Sequence, residues 1–177
     1  MFKLNNEIQI PEIGLNEQSL GDALKENKIP REDIFLISKV NNCNQGYEKT
    51  MLDTWKAMEH LYKEGKVKSI GVCNFEISQL TYLLEHCEIK PMIDQVEHTP
   101  LMHDEKLISF CKENDIQIMA WGPLLRGNLE NKKIEQIAEK YKNIDVFDFE
   151  IMKEDMEELN RMNENHRTSF DPLTFDF

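Results

Sequence analysis

The sequence predicts an α/β protein built around a parallel β-sheet, and two observations support this prediction. Apolar runs typical of buried strands alternate along the chain with segments whose apolar residues recur at helical spacing. The chain has 177 residues, 40% hydrophobic and 31% charged, which is enough for one soluble domain with its own core. We therefore expect residues 1–177 to form a single domain.

The amino-terminal part predicts a short hairpin, a helix and a first buried strand. Polar and apolar residues alternate over Lys3–Ile10 around two asparagines, which is typical of a hairpin with an amide turn. Asn16 can cap a helix that runs to about Lys28, where a proline forbids continuation. The apolar run Ile34–Val40 then predicts a strand buried on both faces of a parallel sheet.

The rest of the chain continues the alternation of strands and helices. Further strands are predicted over Lys68–Val72, Met92–Val96 and Gln117–Trp121. Helices are predicted over Leu52–Glu64, Ile77–Cys87, Glu105–Asn114, Lys132–Tyr141 and Glu154–Met162, with an irregular tail over His166–Phe177. This order predicts about four parallel strands joined by crossover helices.

The charge balance excludes several classes of partner. The chain has 21 Lys and Arg against 33 Asp and Glu, a formal charge of -12, so it lacks the positive field that nucleic acids or anionic lipids require. No apolar run approaches the roughly 20 residues of a membrane span, and the amino terminus is too polar for a secretory signal. We expect a cytoplasmic protein that binds neither nucleic acid nor membranes.

The cysteines and histidines do not predict a metal site. No C-x-x-C or H-E-x-x-H spacing occurs among them, so the cysteines are interpreted as buried thiols. The residues concerned are Cys43, Cys73, Cys87, Cys111, His60, His86, His98, His103 and His166.

Strand arithmetic leaves the sheet architecture open. A closed (β/α)₈ barrel has eight strands and typically about 250 residues, so this chain is about 70 residues short. Four strands alone would suggest a small doubly wound sheet, but no strand is followed by the G-x-G-x-x-G turn of a dinucleotide fold.

Several sequence blocks resemble the aldo-keto reductase family. Gly65–Phe75 (GKVKSIGVCNF) resembles the family's G-K-[IV]-[RK]-x-I-G-V-S-N-F signature. Similar blocks follow in family order at Ile29–Val40, Lys90–Glu97, Ala120–Leu124, Phe147–Phe149 and Asp171–Phe177. The resemblance covers nearly the whole chain and implies a partial (β/α)₈ barrel of about four parallel strands with a short amino-terminal hairpin.

The family pattern is interrupted at three joins, each lacking roughly thirty residues of a barrel of about 250. They lie between Leu15 and Asn16, between about Thr50 and Leu52, and between about Asn143 and Ile144. By the resemblance, the first two remove the segments with the catalytic Asp and Tyr and then the catalytic His. The third removes the segment that grips the adenosine phosphate of the cofactor.

The resemblance implies NAD(P)H-dependent reduction of aldehydes or ketones, with NADP as the cofactor. In the family a Tyr protonates the carbonyl oxygen, its pKa lowered by a Lys that an Asp positions. Lys39 matches that catalytic Lys, at the end of its strand, although a solvated surface charge is the alternative. Because the Tyr, Asp and His segments are missing, we expect this chain to be inactive alone.

By the resemblance, four residues stand at the positions of the family's contacts to the nicotinamide, Cys73, Asn74, Gln95 and Trp121, and the last three match the family's residue types. Cys73 stands where the family has Ser, a stronger donor, and Gly122 and Asp94 are further departures. Asn74 could instead cap the following helix, and Trp121 could be a core residue. Gln95, in a buried strand, must form hydrogen bonds with some partner.

Two other functions stay open. A non-catalytic family remnant would expose two sheet edges and apolar surface, which favours a homo-oligomer or another binding role. A cofactor- or nucleotide-binding module without reductase chemistry is the second, although the seven glycines include no phosphate-binding loop. Arg126-Gly127-Asn128 is the one candidate lip for a pyrophosphate, and an ordinary turn explains it equally well.

Overall fold

The computed structural model describes residues 2–3, 9–10, 37, 48–125, 130–141 and 149–169. The strands are β1 (Phe2–Lys3), β2 (Gln9–Ile10), β3 (Val72–Cys73), β4 (Ile93–Glu97) and β5 (Gln117–Trp121). The helices are α1 (Glu48–Lys63), α2 (Ile77–His86), α3 (Glu105–Glu113), α4 (Lys132–Tyr141) and α5 (Lys153–Arg161).

The amino-terminal hairpin is confirmed at its two paired ends. Strands β1 and β2 are antiparallel, with Phe2 opposite Ile10 and Lys3 opposite Gln9. The predicted helix over residues 16–28 lies outside the described residues. Of the predicted strand Ile34–Val40 only Ile37 is described, and it lies in no strand.

The described part of the main sheet has three parallel strands in the order β3–β4–β5. Three of the four predicted parallel strands are therefore present in the described residues. Strand β3 is shorter than the predicted Lys68–Val72 and shares only Val72 with it. The residues before β3 are joined to the residue before β4 by the backbone bond from Met92 N to Ile70 O, 3.0 Å. Gly71 passes so close to β4 that a Cβ there would lie 2.6 Å from Ile93 O.

The helices lie within four residues of their predicted bounds. Helix α1 ends just before Gly65, which adopts a φ of 69° that side-chain-bearing residues disfavour. Helix α3 begins after Asp104, whose carboxylate accepts hydrogen bonds from Lys106 N at 2.8 Å and Leu107 N at 3.1 Å. Helix α1 is fixed to the loop before β4 by Trp55 Nε1, which donates to Ile89 O at 3.0 Å.

Two hydrophobic clusters form the core of the described residues, and helix α2 contributes a leucine to each of them. The first cluster contains the buried residues Trp55, Ile70, Leu83 and Met92. The second cluster contains Leu80, Val96, Leu107, Cys111 and Ile116. Val72 and Phe75 pack against both clusters and so join them. The core thus runs beneath the carboxyl end of β3, where the candidate site begins.

Candidate functional site

The sheet brings the four predicted cofactor-binding residues together at the carboxyl ends of β3, β4 and β5. Cys73 is the register partner of Gln95, and Glu97 at the end of β4 is the partner of Trp121. Asn74 follows β3 directly, and its N–H donates to Gln95 O at 3.0 Å. The proposed catalytic Lys39 and the Arg126–Asn128 turn lie outside the described residues.

Asn74 is the centre of this group. It has a left-handed backbone, φ 57°, a conformation that Asn tolerates better than most residues. Its Oδ1 accepts a hydrogen bond from Trp121 Nε1 at 2.7 Å, which joins the ends of β3 and β5. The alternative that Asn74 caps the next helix is wrong, because Glu76 is the N-cap of α2. With Oδ1 engaged, the Asn74 amide nitrogen is the group left to donate.

The side-chain amide of Gln95 contacts two sulfur atoms. Its Nε2 donates to Met119 Sδ at 3.1 Å, and Cys73 Sγ lies 4.0 Å from its Oε1. Thioether and thiol groups are weak hydrogen-bonding partners, so the Gln95 amide can exchange them for a stronger polar ligand. The predicted need of the Gln95 amide for a hydrogen-bonding partner is thus met by Met119 and Cys73.

Asp94 lies on the opposite face of β4 and is 0% exposed. Phe75 N donates to its Oδ1 at 3.4 Å, while its Oδ2 has no hydrogen bond in the structure as described. Burial raises the pKa of Asp94 to about 7, and the Phe75 N–H only partly opposes that rise. A carboxyl group that exchanges its proton near neutral pH therefore lies directly beneath the Asn74 turn.

The carboxyl-terminal segment crosses the mouth of the site, which the sequence reasoning missed. Arg167 donates to Glu76 Oε1 at 2.9 Å, and Thr168 N donates to Glu97 Oε1 at 2.7 Å. The two partners of the first bond are 91 residues apart, so no local spacing could have indicated it. The described part of the predicted irregular tail is thereby fixed against the ends of β3 and β4.

Two concavities lie near these elements, and neither is large enough or polar enough for a dinucleotide. A cavity of about 20 Å³, lined by Asn74, Glu97, His98 and Arg167 among others, has room for about one water molecule. An apolar groove of about 280 Å³ lies beside α4 and α5. The face at the strand ends is thus an open surface in the described part of the chain.

The buried acid beside that groove is a structural link between helices. Asp155 on α5 accepts hydrogen bonds from Tyr141 Oη at 2.7 Å and from Lys140 Nζ on α4. The Lys140 bond is the main cause of a lowered pKa of Asp155, and the Asp155 bond raises the pKa of Tyr141. A phenol with a raised pKa is poorly suited to act as a general acid.

The described residues contain no group of three or more His, Cys, Asp or Glu side chains arranged to hold a metal ion. Cys111 is buried, and Cys73 and Cys87 are half-buried, without disulfide bonds. Burial raises the pKa of the Cys111 thiol to about 12, which makes it an inert core residue. In this same part of the chain, no helix is long and apolar enough to cross a membrane.

Comparison with known proteins identifies the family. The model described as "Aldo/keto reductase family" matches residues 43–177. Glyoxal reductase of Bacillus subtilis (strain 168) is 34% identical over 216 residues, covering 89% of this chain and 78% of the relative.

Two solved structures extend the likeness to the fold. MGS-M4, an aldo-keto reductase enzyme from a Medee basin deep-sea metagenome library, is 27% identical with a TM-score of 0.89 and full coverage of both chains. A Gox0644 mutant in complex with NADPH is 26% identical with a TM-score of 0.75, covering 90% of this chain and 80% of that one. These matches confirm the predicted partial (β/α)₈ barrel. The chain belongs to the aldo/keto reductase family.

Proposed function

We propose that this chain binds NADP(H) at the carboxyl ends of β3, β4 and β5, with the nicotinamide carboxamide between Asn74 and Gln95. The hydrogen bond from Trp121 Nε1 to Asn74 Oδ1, 2.7 Å long, carries this proposal. It fixes the orientation of the Asn74 amide, so that the amide nitrogen would be the group that donates to a ligand, and it holds the indole in the same cluster. The NADPH bound to the related Gox0644 mutant supports the choice of cofactor.

The side chains present fit a carboxamide. A carboxamide offers a carbonyl acceptor and an N–H donor pair, which require one donor and one acceptor in reply. The Asn74 amide nitrogen supplies the donor, and the Gln95 amide, whose contacts among the described residues are with Met119 Sδ and Cys73 Sγ, supplies the acceptor. Trp121 is half-buried, so one part of its ring is open to contact the nicotinamide.

The cofactor, when bound, would supply a hydride to the carbonyl carbon of a small aldehyde or ketone. The carbonyl oxygen must then receive a proton, which a Tyr gives in the family. The tyrosines in the described part of the chain, Tyr62, Tyr82 and Tyr141, lie on helices and not at the carboxyl end of a strand. We therefore propose that the chain alone binds cofactor and reduces carbonyl compounds poorly, since general-acid catalysis contributes about 10²–10⁴-fold.

The alignment with the glyoxal reductase supports the internal deletions. It runs over 216 positions, whereas this chain has 177 residues, so some positions of the relative have no counterpart here. We propose that these positions correspond to the three joins and include the catalytic Tyr, Asp and His segments. Lys39 then lacks the Asp and Tyr with which it acts in the family.

Fluorescence titration with NADPH tests the cofactor site. The chain has two tryptophans, so Trp55→Phe leaves Trp121 as the one indole reporter, and Trp121→Phe is the matched control. We expect saturable quenching at micromolar cofactor in the first variant and none in the second. No binding at millimolar NADPH would refute the proposal. NADPH oxidation with glyoxal, if it reached rates typical of enzymes, would refute only the weak catalysis.

A self-associating half-barrel is the second candidate. Strand β5 has no described strand on its outer side, and its residues are at most half-buried, with Ala120 exposed. An unpaired edge of this kind is a template for a second chain. Analytical ultracentrifugation should give a dimer; a monodisperse monomer that unfolds sharply would refute this candidate and favour a compact monomeric fold.

We also propose that residues 1–177 form one domain and that the protein works in the cytoplasm. The contacts from Arg167 to Glu76 and from Thr168 to Glu97 tie the far end of the described chain to the middle, which supports one folding unit. Cysteines without disulfides are typical of a reducing compartment. A single calorimetric transition and a cytosolic fractionation pattern are the expected results.

A further inference from the structure

Asp94 is an unusual residue for the interior of a strand. It is 0% exposed, and it lies on the face of β4 that packs against helices, on the side opposite Gln95. Its Oδ2 accepts no hydrogen bond from any residue that the structure describes. A buried polar atom without a partner is costly, so a carboxyl group at this position calls for a specific role.

The contact of Oδ1 indicates that role. Phe75 N donates to Asp94 Oδ1 at 3.4 Å, and the preceding N–H, that of Asn74, donates to Gln95 O at 3.0 Å. Two successive amide groups of the turn are therefore anchored on two successive residues of β4. Between them lies the left-handed backbone of Asn74, which is less favourable than a regular conformation and needs such anchors to persist.

The side chain of Asn74 depends on this backbone. Its Oδ1 meets Trp121 Nε1 at 2.7 Å from this left-handed backbone, and rotation of the backbone would change the Cα–Cβ direction on which the bond depends. The path from the buried acid to the candidate site is thus Asp94, Phe75 N–H, Asn74 and Trp121. Each link is a contact between described atoms.

We propose that Asp94 is a positioning residue that holds the Asn74–Phe75 turn in its left-handed form and so presents the Asn74 amide to the nicotinamide carboxamide. This inference rests on the proposed function. The family motif has Asn at this position, so the proposal gives the aspartate of this chain a role of its own. The carboxyl group adds something that an amide cannot provide, a proton that it can lose.

The surroundings of Asp94 determine how its charge acts. Glu76 at the start of α2 disfavours the ionised form, although Arg167 pairs with that glutamate at 2.9 Å. Cys111 on α3 is the other titratable neighbour, and its thiol is neutral because burial raises its pKa to about 12. The register partners of Asp94 in β3 and β5 are Val72 and Ile118, both apolar.

Ionisation should tighten the turn while it weakens the fold as a whole. A hydrogen bond from Phe75 N–H to a carboxylate is roughly twice as strong as one to a neutral acid. The same charge is costly to keep in a dry core. A positioning role therefore predicts that cofactor affinity rises with pH through neutrality, whereas a purely structural role predicts that affinity falls along with stability.

The test uses dihydronicotinamide riboside, a probe without a phosphate that could itself titrate. We expect wild-type affinity to be about threefold tighter at pH 8.0 than at pH 6.5, and Asp94→Asn to show equal affinity at both. Asp94→Leu, which removes the acceptor, should lose about threefold to tenfold at pH 8.0. Val96→Ala, a buried neighbour on the same face, should lose stability and keep the wild-type pH profile.

Chemical shifts give a second readout that does not depend on the ligand. The Phe75 amide proton should move downfield between pH 6 and pH 8 in the wild type and stay fixed in Asp94→Asn. Equal probe affinity in the wild type and Asp94→Leu, or affinity that falls as pH rises, would overturn the inference and leave the cofactor site intact. A wild type that binds neither the riboside nor NADPH would instead overturn the proposed function.

Discussion

Replacing Asp94 with Asn should make the protein more stable at pH 8 and remove part of its pH dependence. The pKa of this carboxyl group is about 7 in the folded protein, whereas that of a fully hydrated aspartate is 3.8. Because the folded protein holds the proton of Asp94 more tightly, the contribution of this group to stability is greatest below pH 4 and is lost as pH rises to about 7. Each tenfold difference in proton affinity is worth about 1.4 kcal/mol, so the whole loss is about 4 kcal/mol.

Urea denaturation measured at half-unit steps from pH 4 to pH 8 checks this value. The difference in free energy of unfolding between Asp94→Asn and the wild type should grow by about 4 kcal/mol between pH 4 and about pH 7 and then level off toward pH 8. Val96→Ala is the control, since Val96 is a buried residue on the same face of β4 without an ionisable side chain and should give a difference that does not vary with pH. A flat difference for Asp94→Asn would show that the carboxyl group is hydrated in solution and would refute the reasoning from burial.

Three further substitutions test the site and the core. Cys73→Ser replaces the thiol, which lies 4.0 Å from Gln95 Oε1, with a stronger hydroxyl donor and should tighten NADPH binding by about threefold to tenfold in the fluorescence assay; unchanged affinity would exclude a contact at this position. Arg167→Gln breaks the 2.9 Å pair with Glu76, in which both side chains are about a quarter exposed or less, and should cost up to about 1 kcal/mol of unfolding free energy. It should also speed amide exchange over residues 163–168, and unchanged exchange there would contradict the tail contact. Leu83→Ala opens a cavity at a residue with 0% exposure and should cost about 3–5 kcal/mol in urea denaturation; a loss under about 1 kcal/mol would contradict the first cluster.

The helices were predictable because their information is local. Helix α4 has the predicted bounds, Lys132–Tyr141, since apolar residues at helical spacing fix both its extent and its buried side. Helix α2 starts where predicted, and Gln79 accepts from Glu76 N at 2.9 Å within the first turn. Strand β3 was predicted too long, because an apolar run does not reveal that Gly71 passes against Ile93 O before regular pairing begins.

The candidate site also contains residues that could be predicted from the sequence and residues that could not. Asn74, Gln95 and Trp121 could be placed together from the family resemblance, since parallel strands align their carboxyl ends. The Arg167–Glu76 pair could not, because it joins residues 91 positions apart through the fold alone. The same holds for Asp94, whose special character comes from complete burial, a property of the packed helices rather than of its own strand.

The joining of the two hydrophobic clusters by Val72 and Phe75 changes how the signature motif should be understood. These two residues flank Cys73 and Asn74, so the two apolar residues of V-C-N-F belong to the core. Substitutions of Val72 or Phe75 would cost folding free energy whether or not a reaction takes place. Selection for folding alone would therefore preserve these two residues in a descendant that has lost its chemistry, and their presence by itself is evidence of ancestry rather than of activity.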